Sequence, residues 1–554
     1  MTLSSEDSLQ RQLEAWLTEY GGPDVCVAEL LCDRHAKEPG RKALHYENAA
    51  GVQVELSFAD LRNLSARFAG VLHNLGVSKG DRVAVLLPRT PELMVAVLAL
   101  WRLGAVHVPL FTAFGPEAVG YRLSHSDARI IVTNTTNRFK LQVPGLTSAP
   151  AVNKSVEVVT VEDHTKEKVA LPAGDTPFWA SLKDAQAVQE AATFGPDDPF
   201  VLIYTSGTTG SPKGAICSTK FLAMVAAYMR LGLNVQEDDV YWNMADPGWA
   251  YGLAFALIGP LLIGRPTIFV NAPFAPQLTY DILCRYQVTN FVAAPTAYRA
   301  LRAFGVPPGT KDQFSIRTAT SCGEPLNPEV ITWAVEHLGI PIHDHYGQTE
   351  AGMPIVNHHH SSLKRPLRPG SMGRASLGTR VVILDDTNRE LGPGQEGQVA
   401  LDTWNSPLFN FRGYHQDPER TAERFVAEGR YYLTGDIASR DAADYFFFTS
   451  RTDDVIKSAA YRIGPFEVES ALLQHQAVAE TAAVAKRDCL KGNIVKAFVV
   501  LKSTFTGSEA LASELGQFVK ARLGAHAYPR EIEFVDQLPK TSSGKIQRFL
   551  LRNR

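Results

Sequence analysis

Eleven residues constrain this chain more than any other stretch: Tyr204-Thr205-Ser206-Gly207-Thr208-Thr209-Gly210-Ser211-Pro212-Lys213-Gly214. The run before them, Phe200-Val201-Leu202-Ile203, is apolar without a polar break and reads as a buried strand. After Thr219, Phe221 to Ala227 read as the start of a helix. Glycines let a backbone approach a ligand closely, since no Cβ intervenes. Hydroxyls and backbone N–H groups then face anionic oxygens, and Lys213 adds charge. The stretch is therefore expected to cradle a polyphosphate. A Walker A loop is excluded by spacing, because Ser211 and Pro212 separate Gly210 from Lys213. A flexible linker is a poor fit to the ordered Tyr204, Pro212 and Lys213.

A chain of 554 residues is too long for one core, so at least two domains are expected. The net charge of −3 gives no electrostatic case for nucleic acid. Six cysteines at 26, 32, 217, 284, 322 and 489 form no CxxC pair and read as reduced thiols, pointing to the cytoplasm. The first twelve residues carry Glu6 and Asp7 and lack the apolar core of a signal peptide. The stretch from Phe255 to Ile263 is broken by Gly259 and Pro260, so no membrane span is expected.

Along the chain, residues 1–50 form a polar helical lead-in and a strand at Ala43 to Tyr46. Ser57 and Asp60 signal a helix start, with Leu61, Leu64, Phe68, Val71 and Leu72 at helical spacing and Gly76 as the stop. Val83 to Leu87 is a buried strand; Thr90-Pro91 opens a helix that Gly104 closes; Ala105 to Leu110 is a strand. Such alternation implies a parallel sheet covered by helices, and it recurs between Val240 and about Val292. From Val381 to Leu401 the pattern becomes β-rich with tight turns, suiting a small barrel-like subdomain. After Arg451-Thr452-Asp453-Asp454 it is mixed α+β, and the main boundary is placed between 452 and 453. His358-His359-His360 reads as a polar loop, because successive residues rarely converge on one ion.

Five further constellations stand out: Ser321-Cys322-Gly323-Glu324-Pro325; Tyr346-Gly347-Gln348-Thr349-Glu350; Tyr432-Leu433-Thr434-Gly435-Asp436; Ser450 to Lys457 with Tyr461-Arg462-Ile463-Gly464-Pro465; and Leu538 to Arg548 with Lys545 in Ser-Gly-Lys-Ile. Taken singly, Gly-Glu-Pro and Gly-Asp are also ordinary turn chemistry. Together with the opening loop, and in this order, they resemble the adenylate-forming superfamily of acyl-CoA synthetases, peptide-synthetase adenylation domains and luciferases. The overall pattern is most similar to the medium-chain acyl-CoA synthetases.

The resemblance implies an α/β fold: a large N-terminal domain of two α/β subdomains plus the barrel-like piece (1–452), and a mobile α+β C-terminal domain (453–554). It implies an acid–thiol ligase using ATP, Mg2+ and CoA, with a small-molecule carboxylic acid as partner. Thr205, Ser206, Gly207, Thr208, Thr209 and Lys213 would hold phosphates. Gly323, Glu324, Pro325, Tyr346, Gly347 and Gln348 would surround adenine, with Asp436 on the ribose hydroxyls and Arg451 and Arg462 nearby. Thr349 would touch the α-phosphate, Glu350 would bind the metal, and Lys545 would bridge the acid and the α-phosphate as charge builds. Asp453 would be the hinge on which the small domain swings, and Ala460 and Tyr461 would line the CoA tunnel.

Trp249, Ala250, Tyr251, Cys322 and Gly347 would wall the acyl pocket. Acetyl-specific relatives carry tryptophan at the position of Gly347, so an open floor and a medium-chain, branched or aryl acid are expected. Ala460 replaces a usual glycine, which predicts a hindered thioester step with adenylation intact. That leaves room for transfer to an acyl carrier protein or an amine instead of CoA.

Overall fold

A computed structural model of the chain describes residues 5–141, 156–162, 171–205, 212–458, 461–488, 492–524, 527–540 and 546–552, and the architecture is that of those residues. Local signals set its first elements. Ser57 Oγ accepts from Asp60 N and Asp60 Oδ2 accepts from Ser57 N, a capping box that starts helix Phe58–Asn74. Leu61, Phe68, Val71 and Leu72 on that helix are buried; each such side chain stabilises by about 2 kcal/mol. Gly76 then adopts φ +82°, which stops the helix. Helix Pro91–Arg102 is buried on nearly every side, and Trp101 Nε1 donates to Phe200 O at 3.0 Å. That bond ties the helix to the strand leading into the Gly/Thr loop.

Two sheets organise the large part of the chain. The first has the spatial order Thr176–Pro177, Glu157–Val161, Ile130–Asn134, Arg82–Leu86, Val106–Pro109, Pro199–Thr205, Lys213–Ser218. All its pairs are parallel except the last, which is antiparallel. The loop therefore caps a β-hairpin. A helix does begin at Phe221, as expected, but the strand Lys213–Ser218 intervenes.

The second sheet is longer. Its parallel part runs Ile342–Gln348, Thr318–Cys322, Asn290–Ala293, Tyr241–Asn243, Thr267–Asn271, Lys42–Asn48, with Gln53–Ser57 antiparallel at the edge. On the other side Gly352–Val356, Ser371–Ala375, Phe446–Arg451, Tyr431–Arg440, Glu396–Asp402 and Val381–Leu384 continue it as antiparallel strands. The β-rich piece expected near Val381 is thus a meander hydrogen-bonded to the α/β sheet.

Beyond the turn at 452–454, hairpin Ile456–Ser458/Tyr461–Ile463 and the three-stranded sheet Val478–Asp488, Gly492–Leu501, Glu531–Phe534 surround a separate apolar cluster that includes Ile456, Leu472, Val499 and Leu515. Helix Pro465–Leu473 touches the large part through Ser470, whose Oγ accepts from Asn327 Nδ2 at 2.9 Å.

One expectation is overturned. His358 and His359 are buried, not part of a polar loop. His359 stacks on His343 with ring centres 3.7 Å apart, and Thr320 Oγ1 lies 2.9 Å from His359 Nε2. With His345 they form a buried group whose ring nitrogens lie within 4.8 Å of one another, and His343 Nδ1 and His345 Nε2 lie 2.7 and 2.9 Å from Asn357 O.

Candidate active site

Thr205 and Lys213 are cross-strand partners, so the hairpin closes around residues 206–211. Ser206, Gly207, Thr208 and Thr209 lie outside the described residues. Segment 413–415 adds to the hairpin's outer strand: Ile216 N donates to Gly413 O at 3.1 Å and His415 N to Gly214 O at 2.7 Å. This pairing sets Tyr414 beside Ala215 of the strand Lys213–Ser218. Lys213 Nζ lies 4.9 Å from the centre of the Tyr414 ring. Partial burial, then Arg424 and Arg420, hold the Lys213 pKa below its ordinary value, while Glu350 opposes them.

Thr349 and Glu350 occupy the tight turn between Ile342–Gln348, the last parallel strand, and Gly352–Val356, the first antiparallel one. Tyr414 Oη donates to Glu350 Oε1 at 2.8 Å. Tyr414 and Arg424 were not found by sequence reasoning; no local pattern links them to Glu350.

Asp436, with 3% exposure, gathers the other motifs. Tyr346 Oη donates to its Oδ2 at 2.5 Å and Gln348 Nε2 to the same oxygen at 2.8 Å. Arg451 Nη1 lies 3.3 Å from Oδ1. Burial, then the Asp436 charge, raises the Tyr346 pKa well above the ordinary phenol range, so the ring stays a donor. Gly435 has φ +78°, and a Cβ there would lie 3.2 Å from Arg424 Nη1.

Gly323, at φ +102°, has open space where a side chain would project, and Glu324 is fixed by Arg299 Nη2 at 2.6 Å and by Thr296 Oγ1. Beneath this turn Asp344 accepts from Ser321 Oγ at 3.0 Å and Leu326 N at 3.1 Å. Burial pushes the Asp344 pKa up to about 7.

The expected acyl-pocket residues fall on neighbouring elements. Trp249 packs between Phe111 and Phe114. Cys322 ends its strand, buried. Tyr251 Oη is 3.0 Å from Tyr228 Oη, which is 2.7 Å from His345 Nδ1; Tyr228 and His345 were not anticipated. Ala250 opens the helix that carries Tyr251. At Gly347 the space for a side chain is filled: a Cβ would lie 2.4 Å from Met353 Sδ and 2.5 Å from Gly352 O. The floor expected to be open is therefore set by Met353, a flexible residue.

Asp453 lies in the turn 452–454, and its carbonyl accepts from Arg552 Nη2 at 2.9 Å. Asp454 pairs with Arg552 and with Arg548, which also grips Glu469 at 2.8 Å. A bridge between Lys540 and Ile546 closes the segment holding Lys545. Lys545 and Ala460 lie outside the described residues, as do the side chains of Tyr461 and Arg462.

A Gly/Thr hairpin beside a lysine, a carboxylate on the facing turn, and a buried aspartate ringed by Tyr, Gln and Arg define a nucleotide-handling enzyme. The chain belongs to the AMP-binding enzyme family: that family's model matches residues 32–415, and the model for its C-terminal domain matches 467–545. It is 36% identical to an acetyl-coenzyme A synthetase of Bacillus subtilis (strain 168), over 94% of this chain and 89% of the relative. Among solved structures it resembles an acyl-CoA synthetase of Brucella canis, at 44% identity and TM-score 0.76, covering 99% of this chain and 98% of the other. It also resembles a benzoate CoA ligase from Burkholderia xenovorans LB400, at 28% identity and TM-score 0.81, with 95% and 99% covered.

Magnesium takes oxygen ligands and is commonly held by one or two carboxylates plus substrate phosphates. Glu350 fits: Oε1 is fixed by Tyr414, and Oε2 makes no hydrogen bond or ion pair among the described residues. Bound there, the ion would neutralise phosphate charge.

Proposed function

We propose that this protein activates a medium-chain, branched or aryl carboxylic acid with ATP and passes the acyl group to CoA. In the first half-reaction the carboxylate oxygen bonds to the α-phosphorus while the bond to pyrophosphate breaks, giving an acyl-adenylate. In the second, the CoA sulfur bonds to the acyl carbon and AMP leaves. The observation that carries this reading is the convergence of Tyr346, Gln348 and Arg451 on one buried carboxylate, Asp436. It supports a ribose-binding role, because one carboxylate can accept from two vicinal hydroxyls through charge-assisted bonds.

In this reading Lys213 and the hairpin hold the phosphates, Thr349 touches the α-phosphate, and Lys545 stabilises charge as the oxygen attacks. Catalysis is then mostly positioning and electrostatics. The apolar wall of Trp249, Phe111 and Phe114 favours a hydrocarbon chain or ring; the Tyr251–Tyr228–His345 series places a polar edge beside it. The solved relatives named above include a benzoate ligase, while the curated relative is named for acetate. Met353 leaves more room than a tryptophan would, which favours acids larger than acetate.

We take residue 453 as the start of the mobile domain, supported by its separate apolar cluster and the exposed turn at 452–454. An acyl carrier protein is the second acceptor, on the strength of Ala460. The five described cysteines are joined by no disulfide, and reduced thiols support a cytoplasmic location. Pyrophosphate release across a series of acids, with and without CoA, tests the whole reading. An acetate optimum would overturn the acid assignment, and no release with any acid would overturn the function.

A further inference from the structure

At the edge of the second sheet remote from these motifs lies a cavity of about 510 Å³ lined by Arg34, Arg41, Arg230 and Arg265 against a single acid, Glu19, over the Trp16 ring. Its place follows from the topology. Arg41 immediately precedes the strand Lys42–Asn48 and Arg265 stands two residues before its parallel neighbour Thr267–Asn271, whereas Cys322 and Gly347 stand at or near the ends of theirs. Starts and ends of parallel strands lie on opposite edges, so this cavity is not the nucleotide site.

The arginines are built in by neutral acceptors. Arg34 Nη2 donates to Leu262 O at 2.8 Å, and Arg41 Nε and Nη2 both donate to Gly264 O, at 3.0 and 2.7 Å. Gly264 sits at φ +67°, and a Cβ there would lie 2.6 Å from Arg41 Nη2, so the glycine permits the clamp. Carbonyls orient guanidinium groups without cancelling their charge. Glu19, Glu38 and Glu237 pair with Arg34, Arg41 and Arg265, but the latter two lie outside the lining and are well exposed, so they screen weakly. Arg230 makes no hydrogen bond or ion pair among the described residues. His35 Nε2 accepts from Arg34 Nε at 3.3 Å, which keeps that ring neutral. Burial, then Arg34 and Arg41, holds the His35 pKa down to about 4.

The same elements run to the acyl wall. Arg230 shares the π-helical turn Tyr228–Gly232 with Tyr228, and Leu262, lining the cavity, ends the helical run that Ala250–Tyr251 begins. Tyr228 and Tyr251 are hydrogen-bonded to each other. A single π turn inside a helix often marks a functional position.

We infer that this cavity binds a phosphate-bearing small molecule through the arginine forks, and that its occupancy shifts the Tyr228–Tyr251 wall of the acyl pocket. Guanidinium forks match phosphate oxygens in pairs, and the volume suits a ligand between a diphosphate and a mononucleotide. The binding claim stands apart from the proposed reaction; the effect on the acid rests on it.

Inorganic pyrophosphate in EDTA is titrated by calorimetry into the full chain with the nucleotide site filled by α,β-methylene-ATP. One equivalent should bind, at least tenfold more weakly in Arg230→Gln and more weakly still in 0.5 M NaCl, where salt screens the guanidinium charges. No binding, or equal binding by the variant, overturns the site; tighter binding of citrate than of pyrophosphate overturns the phosphate assignment. In steady-state assays added pyrophosphate should change KM for the acid at least threefold in the unaltered protein, and not in Arg230→Gln. An unchanged KM alongside demonstrated binding overturns the coupling alone.

Discussion

Asp436 and Arg451 face each other across two antiparallel strands, with Arg451 Nη1 3.3 Å from Asp436 Oδ1. Their register ties the carboxylate proposed to hold the ribose to the arginine two residues before the proposed hinge. Tyr346 and Gln348 reach the carboxylate's other oxygen from the strand that ends at Thr349-Glu350. The nucleotide site and the boundary of the small domain thus share a hydrogen-bonded network.

Asp436→Ala should weaken ATP binding, because two charge-assisted bonds to the ribose are lost at about 1.5–3 kcal/mol each. The expected effect is a rise in Kd for ATP of about two to four orders of magnitude. Calorimetry on variant protein that retains its circular dichroism spectrum is the measurement. A Kd within threefold of the unaltered protein would remove Asp436 from the site.

Met353→Ala should shift the acid preference toward longer chains. Met353 Sδ fills the space beside Gly347 and is 4% exposed. Removing it opens room for more of an acyl chain, with each added methylene worth about 0.8 kcal/mol. The cavity should cost about 2–5 kcal/mol of stability. Gly347→Ala should act oppositely and lower activity for every acid, since the new Cβ meets a backbone carbonyl that cannot swing aside. Ranking kcat/KM over a chain-length series checks both, and an unshifted optimum in Met353→Ala would take Met353 out of the pocket.

What was legible in the sequence was local. Ser57 with Asp60, and Pro91 with Gly104, mark helix ends through neighbours within a turn or two, and the apolar run at Phe200 to Ile203 is a strand as expected. Whether Lys213 to Ser218 continued as helix or returned as strand was not legible, because its pairing with Pro199–Thr205 and with Gly413–His415 is tertiary. The same holds for Tyr414 on Glu350 and for Tyr228 on His345, 64 and 117 residues apart. His358-His359-His360 looked solvated because polarity was read without its partners, Thr320 and the His343 ring.

Stability should fall in mild acid. Burial lowers the pKa of His343 and His358 to about 4, and those of His345 and His359 further. These rings are neutral in the fold but take up protons in the unfolded chain below about 6.5. The unfolded state then binds more protons, so stability drops as pH falls from 6.5 toward 4, by about 1.4 kcal/mol per pH unit for each histidine. Asp344 acts the other way: with its folded pKa up to about 7, its contribution is lost as pH rises from about 4 through 7. Four histidines outweigh one aspartate. Urea midpoints at pH 7.5, 6 and 5 should decline, and less steeply in His358→Gln. A flat profile would contradict the buried cluster.

Lys545 and Ala460 separate the two half-reactions. Lys545→Ala removes the ammonium proposed to meet charge at the α-phosphate, an effect of about 10²–10³ for a lost electrostatic donor. Exchange of labelled pyrophosphate into ATP should fall by that factor. Thioester formation from preformed acyl-adenylate and CoA should stay within threefold, because in the proposed mechanism the small domain turns and withdraws the lysine from that step. Ala460→Gly should do the converse, raising the CoA step severalfold while leaving exchange unchanged, since glycine lets the pantetheine arm pass close to backbone. If Lys545→Ala slows both steps alike, the two chemistries share one arrangement of the domains. If Ala460→Gly leaves CoA transfer unchanged, the methyl is no obstacle, and the case for a carrier protein in place of CoA goes with it.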